Sequence, residues 1–382
     1  MVLISPPLSL YIHIPWCVQK CPYCDFNSHA LKQDIDEPAY VAALLNDLND
    51  DIDRFTIDRP LHSIFIGGGT PSLFSPNAIG SILDGVGQRL HIGSDTEITL
   101  EANPGTVEAD KFKGFASAGV NRLSIGVQSF ASDKLIKLGR IHDSGQAIRA
   151  AEMAHHAGIR SFNLDLMHGL ENQNVGHALD DLRQAIALNP QHLSWYQLTI
   201  EPNTAFYSKP PTLPVDETLW EIQEQGFELL KSAGYQQYEI SAFSKGEQFQ
   251  SQHNLNYWQN GDYLGIGCGA HGKITDISGQ TIHRTVKVKH PKGYLQKDRQ
   301  ALDHWHQVAQ AERPFEYMMN RLRLFKPFTL LDYQQATGLG EDSIKEPLQQ
   351  ATTKGLLLKE GDQYRVTEQG HRYLNDLLAL FL

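Results

Sequence analysis

The feature that most constrains this chain is a regular alternation of short apolar runs with longer helical patterns through its N-terminal half. Runs at Leu8–Ile14, Leu61–Ile66, Thr96–Glu101, Asn121–Val127, Ser161–Met167 and His192–Ile200 are rich in Ile, Leu, Val or aromatics. Each is bounded by Gly, Pro or polar residues, as buried strands are. Helical patterns at Tyr40–Phe55, Ala78–Leu90, Gly145–Ala157 and Gly176–Leu188 lie between them. Helices around Glu108–Ala118 and near Ser132–Leu138 complete the alternation. Six such units predict an α/β chain whose parallel sheet curls into a partial (β/α)6 TIM-type barrel. An open doubly wound sheet is the competing arrangement.

With 382 residues the chain is too long for one ordinary core. Pro202, Pro210, Pro211 and Pro214 crowd the segment after the sixth strand and set a boundary there. The barrel then occupies residues 1–215 and a connecting α+β region 216–312. That region holds a helix at Glu217–Ala233, a strand at Tyr235–Phe243 and a glycine-rich stretch, Gly265–Gly272. Residues 313–382 form a C-terminal α+β module: three helices, then Gly355–Lys359 and Gln363–Thr367 as a two-stranded wing. A winged helix often meets DNA, but from Arg313 onward nine basic and nine acidic side chains cancel. The whole chain carries 33 basic against 44 acidic residues, a net charge of -11. No nucleic-acid partner is expected, and the module reads as a packing or protein-contact unit.

Met1 to Leu10 has no basic stretch and is broken by Pro6 and Pro7, unlike a signal peptide. No run approaches the roughly 20 apolar residues that span a bilayer. Only four cysteines occur, three of them within eight positions, so a reducing cytoplasm is expected rather than a disulfide framework. The apolar end, Leu377–Leu382, could meet a membrane or a second subunit, which leaves a homodimer open.

Cys17-Val18-Gln19-Lys20-Cys21-Pro22-Tyr23-Cys24 follows the first strand directly, at the strand ends where barrels build their active face. Three thiolates on one tight loop can bind three irons of a [4Fe-4S] cube and leave the fourth iron to an outside chelator. The alternative is zinc, with His13 or His29 as a fourth ligand. Gly67-Gly68-Gly69-Thr70-Pro71 ends the second strand on the same face, where glycines let backbone amides approach a ligand. Glu101, Gln128 and Asp165 fall at the ends of the next three strands, where barrel interiors prefer Val, Ile and Leu; this recurrence points to ligand contacts.

Tyr11-Ile12-His13-Ile14-Pro15-Trp16-Cys17 followed by CxxxCxxC resembles the oxygen-independent coproporphyrinogen III oxidase group of radical S-adenosylmethionine (SAM) proteins. Within that group the chain is most similar to the HemW-type heme chaperones, over nearly its whole length. The resemblance implies a cluster on Cys17, Cys21 and Cys24. It also implies SAM contacts from Tyr11, Tyr23, Gly68, Gly69, Thr70, Glu101, Gln128, Arg140 and Asp165, and from the backbone near Ile266. The porphyrinogen-decarboxylating relatives carry a further cysteine two places after the third, where this chain has Phe26, and a longer N-terminal extension. Only ten residues precede Tyr11.

His253-Asn254-Leu255-Asn256-Tyr257-Trp258 is the stretch that points to the heme chaperones. An imidazole can ligate heme iron, and Tyr257 and Trp258 can stack on a flat macrocycle. His253 is taken as the axial ligand, with His13, His168, His271 and His283 as other candidates. Cys268 stands alone and reads as a small buried residue. The resemblance implies heme binding and transfer to acceptor apoproteins, respiratory and membrane-associated ones among them, rather than enzymatic turnover. Radical SAM coproporphyrinogen III dehydrogenation is the alternative, and a metal-sensing regulator using the wing is a third reading.

Overall fold

The computed structural model describes residues 2–106, 109–296 and 298–382. Strand β1 (Leu8–Ile14) runs into two short segments, β2 (Trp16–Cys17) and β3 (His29–Ala30), which pair with each other and clasp the cysteine loop between them. Five parallel strands follow: β4 (Leu61–Gly68), β5 (Ile92–Ala102), β6 (Arg122–Gln128), β7 (Ser161–His168) and β8 (His192–Gln197). The helices between them are α1 (Glu37–Phe55), α2 (Pro76–Gly87), α3 (Ala109–Ser117), α4 (Ser132–Lys137), α5 (Ser144–His156) and α6 (Val175–Ala187). Of the helix expected over Glu108–Ala118, Glu108 lies outside the described residues.

Local chemistry sets the ends of these helices. Asp36, Ser75, Asp143 and Asn174 each accept a hydrogen bond from a first-turn amide, and Gln146 closes a reciprocal capping box with Asp143. Helix α1 ends at Thr56 in a left-handed conformation. Its buried stripe of Tyr40, Leu44 and Leu48 packs on the sheet, and each such side chain contributes about 2 kcal/mol by leaving water.

β1, β4, β5, β6, β7 and β8 neighbour one another in chain order and are parallel throughout. A doubly wound sheet reverses its strand order partway; this one does not, so it curls in one sense as a partial barrel. The arc stays open. Beyond β8 come helices α7 (Ala205–Ser208) and α8 (Asp216–Ser232) and the strands β9 (Gln236–Glu239) and β10 (Ala242–Ser244). The single strand expected over Tyr235–Phe243 is therefore two. The chain reverses at Ile240-Ser241, where Glu239 accepts from the Ser241 amide, and β10 pairs antiparallel with both β9 and β8.

Helix α9 (Gln252–Trp258) carries the His253 to Trp258 stretch, capped by Ser251. β11 (Asp262–Ile266) then pairs parallel with β1 on its free side. β12 (His271–Asp276), β13 (Thr281–Lys287) and β14 (Leu302–Gln307) extend the sheet antiparallel, with α10 (Pro291–Tyr294) between the last two. The C-terminal module has its own core around Tyr317, Met318, Phe328, Tyr333 and Leu348. It contains α11 (Arg313–Arg321), β15 (Phe328–Thr329), α12 (Leu330–Thr337), α13 (Lys345–Thr353) and the wing β16 (Leu357–Glu360) and β17 (Gln363–Val366). Leu377 and Phe381 fold into that core, whereas Leu382 is exposed. Among the described residues no helix is long and apolar enough to cross a membrane.

Candidate functional site

The cysteine loop is tied to the glycine turn by backbone bonds. Gly69 N donates to Ile14 O (2.8 Å) and Thr70 N to Trp16 O (2.7 Å). A Cβ on Gly69 would stand 2.5 Å from the Trp16 carbonyl, so no larger residue fits this approach. Cys17, Cys21 and Cys24 are free, partly exposed thiols that line one cavity of about 310 Å³. Burial pushes the Cys17 and Cys24 thiols up. Arg140 lies over Cys21, with Nη1 3.7 Å from its sulfur and Nη2 donating to Gly126 O (2.6 Å).

The other walls of this cavity come from strand ends, as parallel-strand geometry requires. Glu101 of β5 accepts from Gly68 N (3.0 Å); burial, then the neighbouring Asp165 charge, pushes its carboxyl up to about 7. Asp165 of β7 is raised by burial and accepts from Ser124 (2.9 Å) and Asn163 (2.8 Å). Gln128 closes β6 in a left-handed conformation, φ 70, and accepts from the Tyr196 hydroxyl (2.8 Å). A non-glycine residue held there stores backbone strain, which is concentrated at ligand sites. Tyr23, Gly68, Gly69, Thr70, Glu101, Gln128, Arg140 and Asp165 thus share the cavity of the three cysteines. Tyr11 does not line it, and Ile266 is fully buried and lines neither this cavity nor the next.

A second cavity, of about 1040 Å³, adjoins the first; the two share Phe26, Ser28, Gly68 and Glu101 in their walls. Here Tyr11, Phe65, Tyr257, Trp258 and Tyr263 give aromatic surface and His253 an imidazole. His253 is held by two neighbouring barrel strands far from it in sequence: Nδ1 meets Ser63 Oγ of β4 (3.0 Å) and the backbone amide donates to Glu97 of β5 (3.1 Å). Nε2 has no hydrogen-bond partner among the described residues, and burial pulls the imidazole down to about 3, so it is neutral and able to act as a ligand. Tyr257 stacks on Tyr263 (4.6 Å), and Trp258 already has the Arg323 guanidinium 4.3 Å from its ring centre. One face of Trp258 is therefore occupied by protein.

Among the other histidines, His271 and His29 line the larger cavity. So does His13, but its ring bonds to Tyr11 (2.9 Å) and Asn27 O (2.8 Å). His168 packs on Trp195, and His283 lies between Phe55 and Trp305; both are outside the cavity. Cys268 is fully buried, donates to Lys289 O (3.0 Å) and is pushed up to about 12 by burial. Sequence reasoning missed Tyr196, though it lies late in a barrel strand as Glu101 and Asp165 do. It also missed Phe65 and Tyr263, which look like ordinary strand aromatics.

The donor set fits an iron–sulfur cube with one open corner: three free thiols around a cavity, and a fourth cysteine engaged elsewhere. Among the described residues no three His, Cys, Asp or Glu side chains are grouped so as to hold a single metal ion. A cube is a larger body than one ion, and its thiolates stand correspondingly farther apart.

Residues 11–185 match the Radical SAM superfamily, and residues 308–373 the HemN C-terminal domain. The chain is 57% identical over 377 residues to the heme chaperone HemW of Escherichia coli (strain K12), covering 99% of this chain and 98% of that protein. The heme chaperone HemW of Haemophilus influenzae is 55% identical over 380 residues, covering 99% and 98%. That of Bacillus subtilis is 35% identical, covering 98% and 99%. Among solved structures, the coproporphyrinogen III oxidase (HemN) of Escherichia coli superposes with a TM-score of 0.83 over 99% of this chain and 90% of that one. At 24% identity this likeness establishes the fold.

Proposed function

As a member of the HemW-type heme-chaperone family of the radical SAM superfamily, this chain, we propose, binds heme and delivers it to acceptor apoproteins while holding a [4Fe-4S] cluster and SAM beside the heme site. The observation that carries this reading is the pair of cavities with shared walls, one lined by three free thiols and the other by a neutral imidazole set among aromatic rings. Cys17, Cys21 and Cys24 are the cluster ligands. When bound, the cluster supplies one-electron chemistry at a coordinated sulfonium.

The chain's own residues do the rest. Gly68 and Gly69 open the backbone to SAM, with Thr70, Glu101, Gln128, Arg140 and Asp165 around it. Tyr23 would flank the cluster from the wall it shares with the three thiols, whereas Tyr11 reaches from the adjoining cavity and the Ile266 backbone lies farther off. His253 ligates heme iron through Nε2, because Ser63 occupies Nδ1. Tyr257 offers a ring to the macrocycle; Trp258 has only the face opposite Arg323. The acceptors belong to the respiratory, membrane-associated class and are met in the cytoplasm. The charge of -11 and the neutral tail support a protein rather than a nucleic acid as partner.

One anaerobic reconstitution tests this. Wild-type protein should take up iron, sulfide and one equivalent of heme with a Soret band. Cys17→Ala/Cys21→Ala/Cys24→Ala should lose the iron and sulfide. His253→Ala should weaken heme binding about tenfold, the loss of roughly 1.4 kcal/mol. An absent Soret band would reject heme binding, and conversion of coproporphyrinogen III with SAM consumption would establish the dehydrogenase instead.

A further inference from the structure

A separate crevice of about 300 Å³ lies between the C-terminal module, the N-terminal segment Ile4–Pro7 and the turn after α9. It shares no wall with the cavity of the three cysteines or with that of His253. Three buried side chains on its walls have incomplete hydrogen bonding. Asn260, in a left-handed turn at φ 63, points Nδ2 at Ala336 O across 3.4 Å and leaves Oδ1 without a partner among the described residues. Turning the amide over would set two oxygens against each other, so the unsatisfied atom is the acceptor. Arg321 is only 6% exposed; its Nη2 donates to Pro327 O (2.5 Å), and Nη1 has no acceptor. The Tyr317 hydroxyl, also buried, lies against that guanidinium without completing a well-formed hydrogen bond.

Lys326 adds an exposed ammonium at the rim. The one carboxylate on the walls, Asp332, already accepts from Thr329 N (2.7 Å) and Oγ1 (2.9 Å) as a helix cap. Two cations therefore face one anion, which is engaged through Oδ2 and also lies within electrostatic reach of Arg321. Buried polar atoms seldom go unpaired, and a guanidinium with a free arm matches an oxyanion.

We propose that this crevice binds a small oxyanion that also carries a hydroxyl, with hydrogen phosphate or a phosphate monoester as the chemical class. Arg321 and Lys326 meet its negative oxygens, Tyr317 donates to one of them, and Asn260 Oδ1 accepts from its hydroxyl. The site closes a joint between the C-terminal module and the turn that ends α9, so its occupancy fastens the two together.

Inorganic phosphate and sulfate, titrated calorimetrically into the full-length wild-type protein at constant ionic strength, test the assignment. Phosphate should bind saturably and raise the melting temperature. Sulfate, which has no hydroxyl to give to Asn260, should bind more weakly. Lys326→Ala, at an exposed position that leaves the fold intact, should weaken phosphate about tenfold by losing one charge-assisted hydrogen bond. Arg321→Lys should weaken it further. Absence of saturable phosphate binding, equal affinity in wild type and Lys326→Ala, or a phosphate-soaked crystal with only water in the crevice would each overturn the proposal.

Discussion

Gly68 sits at φ 117 with the His13 ring beneath it; an added Cβ would come 2.5 Å from the ring's Cε1. Gly68→Ala therefore strains the backbone and displaces an imidazole that joins Tyr11 to Asn27 O. A loss of about 1–3 kcal/mol is expected, read from the shift of the urea midpoint at constant slope. Asp181 illustrates a different residue-scale effect. It is buried on α6 and accepts from Ser129 Oγ and Phe130 N, each at 2.7 Å, yet burial still pushes its carboxyl up to about 6. The folded chain holds this proton more tightly than the unfolded chain does. Asp181 thus adds stability that is complete below the ordinary aspartate range and lost as pH rises through about 6. Relative to Asp181→Asn, wild type should lose about 1 kcal/mol between about pH 5 and about pH 7.5 in denaturant titrations. An unchanged difference would show that the carboxyl titrates normally.

Between elements, the firmest polar tie joins α1 to β13. Lys287 Nζ lies 2.5 Å from Asp47 and 2.7 Å from Asp51, with all three side chains out of solvent. Asp47 also accepts from Gly267 N (3.0 Å) and Tyr294 OH (2.8 Å), so one carboxylate fixes the turn after β11, helix α10 and β13 together. Such a cluster contributes little net energy while whole, but breaking it leaves charge buried without a counter-ion. Lys287→Met should destabilise by about 3–5 kcal/mol, and adding Asp47→Asn and Asp51→Asn should restore much of that. Thermal or chemical unfolding of the single and triple variants decides it; equal losses in both would mean the apolar packing of Lys287 matters more than its charge. Burial raises Asp51 to about 6 even with Lys287 present, the direction expected when two carboxylates share one ammonium.

At the scale of the whole molecule, Arg323 holds the C-terminal module against the barrel extension. Its guanidinium covers Trp258 of α9 and reaches Glu239 of β9 at 3.3 Å, while Phe325 N donates to Tyr238 O (3.1 Å). Arg323→Ala removes the cation–π contact and leaves Glu239 buried without its cation, a cost of about 1–3 kcal/mol. The expected result is earlier tryptic cleavage between barrel and module, with a calorimetric transition that splits in two. A single unshifted transition would show that the apolar contacts suffice to dock the module.

What the sequence determined by itself is what local pattern can encode. Apolar runs of strand length separated by helical periods established the α/β arc, and three cysteines on one loop after the first strand marked where three free thiols meet at one cavity. The glycine turn and the polar residues at strand ends were legible for the same reason, since each lies beside its strand in sequence. Only the tertiary structure set Ser63 and Glu97 around His253, placed Arg323 on Trp258, and brought Asn260 to Tyr317 and Arg321. It also split Tyr235–Phe243 into a hairpin, because β10 had a partner in β8 that no window around it contains. These contacts join residues far apart in the chain, and they depend on how the packed elements meet rather than on any periodicity within them.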